Sequence, residues 1–161
     1  MISEQLLHTC DNIDGVYERV RIANNKAGGL DPLVRFLEKS MAHEGQKITI
    51  IKDKIQSGSL FKKSYEDCII MRNAKHGGSY YQFVFTYTKS ASGNEYYYIY
   101  SMGTSTNMSL QASAQEMRAQ GGFMNRIAAG MAGPKKEALL EEEEYYEAVN
   151  TTLRRMCGTS R

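Results

Sequence analysis

The stretch that decides the fold runs Ser79-Tyr-Tyr-Gln-Phe-Val-Phe-Thr-Tyr-Thr-Lys89, then Ser90-Ala-Ser-Gly-Asn94, then Glu95-Tyr-Tyr-Tyr-Ile-Tyr-Ser-Met102. It holds nine of the sixteen aromatic residues (eleven Tyr, five Phe) of a 161-residue chain. Two aromatic and β-branched runs around a Gly-Asn turn predict a β-hairpin. Parity then separates its faces. On the first strand Tyr81, Phe83, Phe85 and Tyr87 share one side, the better core candidate, and Tyr80, Gln82, Val84, Thr86 and Thr88 share the other. On the second strand Tyr96, Tyr98, Tyr100 and Met102 oppose Glu95, Tyr97, Ile99 and Ser101, so both sides are apolar. Either both are covered, or one is a binding surface.

Upstream, residues 3–25 read as an amphipathic helix capped by Ser3, with Leu6, Cys10, Ile13, Val16 or Tyr17, and Val20 at helical spacing and Gly28-Gly29 beyond its end. A second helix begins at Asp31-Pro32, buries Leu33, Val34, Phe36, Leu37, Ser40 and Met41, and stops at Gly45. Together these predict an N-terminal helical hairpin. Lys47–Lys52 reads as a strand, although Ile48, Ile51 and Ile55 also fit a helix. Ser57-Gly58-Ser59 reads as a turn and Tyr65–Arg72 as a further strand leading into the aromatic hairpin.

Downstream the composition changes. Residues 90–134 hold only four charged side chains, Glu95, Glu116, Arg118 and Arg126, and five of the nine methionines. Leu110, Met117, Met124 and Met131 recur every seven residues, a helix stripe that Gly121-Gly122 weakens at its middle. After Gly133-Pro134 a last helix over 135–157 carries Leu139, Tyr146, Val149, Leu153 and Met156 on one stripe, glutamates early and Arg154-Arg155 late, as the helix dipole favours.

The architecture expected is α+β in a single domain 1–161: a helical hairpin (1–45), an antiparallel sheet of three to five strands (46–103) and a C-terminal helical pair (104–161), with the helices on one face. The element order is similar to that of scaffolds in which a curved sheet wraps a helix, pleckstrin-like or cystatin-like. No motif identifies a family, and such an analogy carries no function.

Composition bounds the function. A net charge of +2 asks for neither nucleic acid nor an anionic surface as partner. No apolar run is long enough to span a bilayer or lead a secretory signal. Cys10, Cys68 and Cys157, odd in number and far apart, read as free thiols in a reducing cytoplasm rather than a disulfide framework.

No residue set reads as catalytic, and neither a metal nor a cofactor is implied. His8 and Cys10 lack a second pair at zinc-ligand spacing, and His43 and His76 stand apart from any nucleophile motif. The Lys75–Gly78 turn, with Arg72 nearby, is a weak anion-binding candidate through Arg72, Lys75, Gly77 and Gly78, against the plainer reading of a glycine stop. The aromatic sheet lacks the charge of a nucleic-acid platform: Ser90–Met102 has no Lys or Arg to track phosphates.

The interface candidates are Tyr96, Tyr98 and Tyr100 on the sheet and Met117, Phe123, Met124 and Met131 in the low-charge segment, where methionine-rich surfaces adapt to partners. The expected function is therefore a non-enzymatic interaction module that binds a protein partner or itself as a homo-oligomer. The alternative is a small-ligand pocket or enzyme with Gln82, Tyr98 or His76 around a cavity between sheet and helices. Nucleic-acid binding stands third.

Overall fold

A computed structural model describes residues 1–12, 15–22, 28–103 and 134–158. The aromatic hairpin is present as expected. Strands β7 (Gln82–Lys89) and β8 (Glu95–Met102) pair antiparallel from Gln82↔Met102 to Lys89↔Glu95. Their loop closes through Ser90 N donating to Asn94 O at 2.7 Å.

Around this pair the described residues form a curled, mostly antiparallel sheet of eight strand segments. The others are β1 (Ile2–Ser3), β2 (His8–Asn12), β3 (Gly15–Tyr17), β4 (Arg19–Arg21), β5 (Ile48–Gly58) and β6 (Lys63–Asn73). The spatial order is β1-β5-β6-β7-β8-β2-β3, with β4 also on β8. Only β1 and β5 pair parallel among these ladders, bringing Ile2 beside Ile55.

Two helices, α1 (Leu30–His43) and α2 (Pro134–Met156), complete the described fold. From the sheet, Ile69, Met71, Phe83, Phe85, Tyr97 and Ile99 join one core with Leu33, Leu37 and Met41 of α1 and Tyr145, Tyr146, Val149 and Leu153 of α2. The odd-numbered side of β7 is thus the core side, and Tyr146, Val149, Leu153 and Met156 of the last-helix stripe pack into the same core, whereas Leu139 stays half-buried outside it. The helices also bond directly. Ser40 Oγ and Thr152 Oγ1 lie 2.8 Å apart, and Arg155 reaches Ser40 Oγ at 3.0 Å and Glu44 Oε1 at 2.6 Å.

The N-terminal helical hairpin is not formed. The spacing over residues 3–25 predicts one helix, but the described part of that segment is a short 3-10 turn and the strands β2–β4, leaving α1 alone. The physical reason is visible locally. Arg19-Val20-Arg21-Ile22 alternates exposed and buried, the two-residue period of a strand. Cys10 and Val20, which fit a helical stripe equally well, are buried because β2 and β4 pair with the free edge of β8. Arg19↔Tyr98 and Arg21↔Tyr96 are part of that ladder. An available sheet edge outweighs a weak helical preference.

The strand number rises accordingly, from three to five expected to the eight segments described. The sheet also extends beyond 46–103. The turn expected at Ser57–Ser59 lies slightly later, at Ser59–Lys62. Isoleucines fall on both faces of β5 because both faces have apolar cover. Ile48 and Ile50 meet the helix-side core, whereas Ile51 and Ile55 meet a second cluster with Ile2, Cys68, Ile70 and Val84. The stripe Leu110–Met131, and whether 105–134 forms one helix or two, lie outside the described residues.

Candidate functional site

The outer face of β8 answers the parity question raised by its sequence. Tyr97, Ile99 and Ser101 are buried on the helix side, while Tyr96, Tyr98, Tyr100 and Met102 stay half-buried on the other. Tyr100 and Met102 pack on the second apolar cluster. Tyr96 is covered by Arg19, whose guanidinium carbon stands 5.1 Å from the ring centre, within cation–π range. Tyr98 and Tyr100 are left as the floor of a groove of about 490 Å³.

Residues remote in sequence build its walls. The 3-10 turn brings Glu4, β2 brings His8 and Thr9, the β3–β4 link brings Glu18, and the β5–β6 hairpin brings Ile55, Ser57 and Glu66. Leu7 adds an apolar flank. Backbone pairing fixes this assembly: Ile99 N donates to Glu18 O at 3.0 Å, and His8 lies opposite Ser101 in the ladder. Glu4, Glu18 and Glu66 are exposed at the groove. None of the three has a salt-bridge partner among the described residues; Glu66 Oε1 accepts a long 3.5 Å hydrogen bond from the Thr88 hydroxyl.

The electrostatic consequence appears at Tyr100. Burial chiefly, then the Glu66 carboxylate, the Tyr98 hydroxyl and the Glu4 carboxylate, push its phenol above the ordinary tyrosine range. This groove is aromatic and carries three carboxylates without a salt-bridge partner among the described residues, with His8 in its wall and Arg19 opposite Tyr98 in the neighbouring ladder.

A larger cleft of about 680 Å³ opens at the end of the helix-side face, between α1 and the β5–β6 hairpin. Most of its charged side chains, Glu66 excepted, are already paired. Lys52 pairs with Asp31 at 3.0 Å and Lys54 with Asp67 at 3.3 Å, while Asp53 holds the N-terminal ammonium at 2.8 Å. Size favours this cleft and chemistry favours the groove. Chemistry decides, because walls whose charges are mostly paired offer a ligand little that water does not. Between sheet and helices, Phe83, Phe85, Leu37, Met41, Ile99, Tyr145 and Tyr146 are fully or nearly fully buried against one another.

The Lys75–Gly78 turn engages its polar groups internally. Lys75 N and His76 N both donate to Asn73 Oδ1 at 2.9 Å, and Gly77 N donates to Asn73 O at 2.8 Å. Lys75 Nζ and His76 Nε2 contact Glu141 Oε1 at 3.1 and 2.9 Å, which holds the Glu141 carboxyl below its usual range. Arg72 Nε is buried without a hydrogen-bond partner. His76 also stacks on Tyr80 at 4.3 Å.

Beside this turn Glu142 is 6% exposed and its Oε1 has no hydrogen-bond partner. Burial raises its carboxyl above the ordinary value, with His76 opposing. A raised folded-state value means full stability below the unfolded value and a loss as pH rises through the folded one. Glu142→Gln is therefore expected to stabilise the fold at pH 7–8 by about 1 kcal/mol, with the gain vanishing near pH 4. Thermal melts across that range check it; a pH-independent difference would contradict the buried charge.

Tyr96, Tyr98 and Tyr100 thus share one face, whereas Met117, Phe123, Met124 and Met131 lie outside the described residues. Glu4 and Glu18 were not singled out by sequence, and His8 and Glu66 were weighed only beside Cys10 and Asp67, since no local pattern joins the four. Among the described residues no cluster of His, Cys, Asp and Glu is arranged to hold a metal, and no helix is long and apolar enough to cross a membrane. No family model matches the chain, and neither a curated protein nor a solved structure does.

Proposed function

We propose that the protein is a non-enzymatic interaction module whose Tyr98–Tyr100 groove takes a cationic, partly apolar segment of a protein partner. The observation that carries this reading is the convergence of Glu4, Glu18 and Glu66 over a tyrosine floor, with no cation paired to them among the described residues. Carboxylates steer a Lys- or Arg-bearing segment, and tyrosine faces hold its cations and stems. Arg19 over Tyr96 is an intramolecular instance of the same contact on the same strand.

The test is a titration of the full chain with fluorescent Arg/Lys-rich and Asp/Glu-rich peptides by anisotropy. Binding of the basic peptide alone, weakening with salt, is the expected result. Equal affinity for both peptides, or none for either, would remove the reading.

A further inference from the structure

The apex of the β5–β6 hairpin is apolar and bare. Leu60 is 89% exposed and Phe61 100%, with Lys62 and Lys63 directly behind them. The turn beneath is closed at both ends: Ser59 N donates to Lys62 O at 3.1 Å, and Lys62 N donates back to Ser59 O at 3.2 Å. Gly58 makes the corner at φ +97°, where any Cβ would collide with the Lys62 carbonyl oxygen. A short turn built this way presents Leu60 and Phe61 as a preformed knob, and preformed knobs lose little entropy on docking.

Knob and groove are complementary. The knob joins an aromatic and an aliphatic side chain to two ammonium groups. The groove joins Leu7, Ile55 and two tyrosines to carboxylates that lack a paired cation among the described residues, and its volume of about 490 Å³ suits side chains of that size. Resting on the reading of the groove as a site for cationic segments, we infer that its partner is a second copy of this chain, whose Leu60–Lys63 tip seats in it. Leu60 and Phe61 meet Leu7, Ile55 and Tyr98, and Lys62 and Lys63 face Glu18 and Glu66.

The placement of tip and groove on one hairpin favours a closed stoichiometry. Ser57 and Glu66 line the groove and belong to the hairpin that carries the tip, so the two surfaces adjoin. Two copies about a twofold axis exchange tips reciprocally, and the assembly closes as a dimer.

Light scattering and sedimentation of the full chain over about 1–200 µM test this, since mass action must govern such a dimer. A monomer–dimer equilibrium weakened by salt is expected. Lys62→Glu with Lys63→Glu should weaken it on the order of 100-fold, as should Glu18→Lys with Glu66→Lys. These four side chains are exposed, and circular dichroism will confirm that both variants fold. Mixing the two variants should restore a dimer containing one of each, because each acidic tip then faces a basic groove and each basic tip an acidic one. A chain that stays monomeric yet binds the free basic peptide overturns the inference and leaves the groove's function standing. Loss of both overturns the two together. Dimers indifferent to the tip variant, or a monomer that sediments with phosphatidylserine vesicles through Phe61, also overturn it.

Discussion

Tyr146→Ala is expected to lower stability by about 3–5 kcal/mol, a large share of what a domain of this size has. Three effects act at one position. The ring is 2% exposed and packs edge-on to Tyr145, Tyr81 and Phe83, with centroids 5.4, 6.2 and 6.5 Å away. Truncation leaves a void between α2 and the start of β7 that backbone hydrogen bonding on both elements prevents from collapsing. The hydroxyl also accepts a 2.7 Å hydrogen bond from Tyr81 N, tying the helix to the approach into the aromatic strand. Finally, the ring sits with Tyr145 at the centre of the contacts that hold α2 against the start of β7. Tyr146→Phe separates the contributions. It keeps the packing and deletes the acceptor, so about 1–3 kcal/mol is expected. Urea unfolding of the three proteins gives both numbers from their midpoints. An alanine variant within about 1 kcal/mol of wild type would contradict the packing described.

What the sequence made legible follows the range of the interactions involved. The β7–β8 hairpin is local, and period-two alternation with a Gly-Asn turn specifies it almost alone. Helix α1 is likewise local, with its stripe of Leu33, Leu37 and Met41 and its stop at Gly45, where φ is +75°. The N-terminal segment misleads because its decisive partner, β8, lies far along the chain. Cys10 and Val20 satisfy a helical and a strand period together, and only the open edge of β8 selects between them. Asp14-Gly15 is a hairpin cue in the same stretch. Weighted with the Arg-Val-Arg-Ile alternation, it favours strands.

The candidate site divides the same way. The doubled apolar character of β8 pointed to Tyr98 and Tyr100. The carboxylates above them come from three separate elements that the β1–β5, β5–β6 and β4–β8 pairings bring together. No spacing rule along the chain could have joined Glu4, Glu18 and Glu66.

In the groove itself, Glu18→Lys combined with Glu66→Lys is expected to reduce affinity for an arginine-rich peptide by about 100-fold or more at low salt. Tyr98→Ala should reduce it about tenfold. The two losses must differ in kind as well as size. Reversing two carboxylates changes the field that the approaching cation feels, so the loss should fall mainly on the association rate and shrink as salt screens it. Removing the Tyr98 ring leaves that field intact and deletes a contact made only after arrival. Its loss should fall on the dissociation rate and survive high salt. Tyr98 is the informative ring because Tyr100 also packs against the outer apolar cluster, opposite Val84 in the ladder, so truncating it would mix stability with binding. Stopped-flow anisotropy at two salt concentrations resolves both rates. If Tyr98→Ala has no effect while charge reversal does, the groove holds its ligand by diffuse attraction alone, and the aromatic surplus of β8 serves packing rather than recognition.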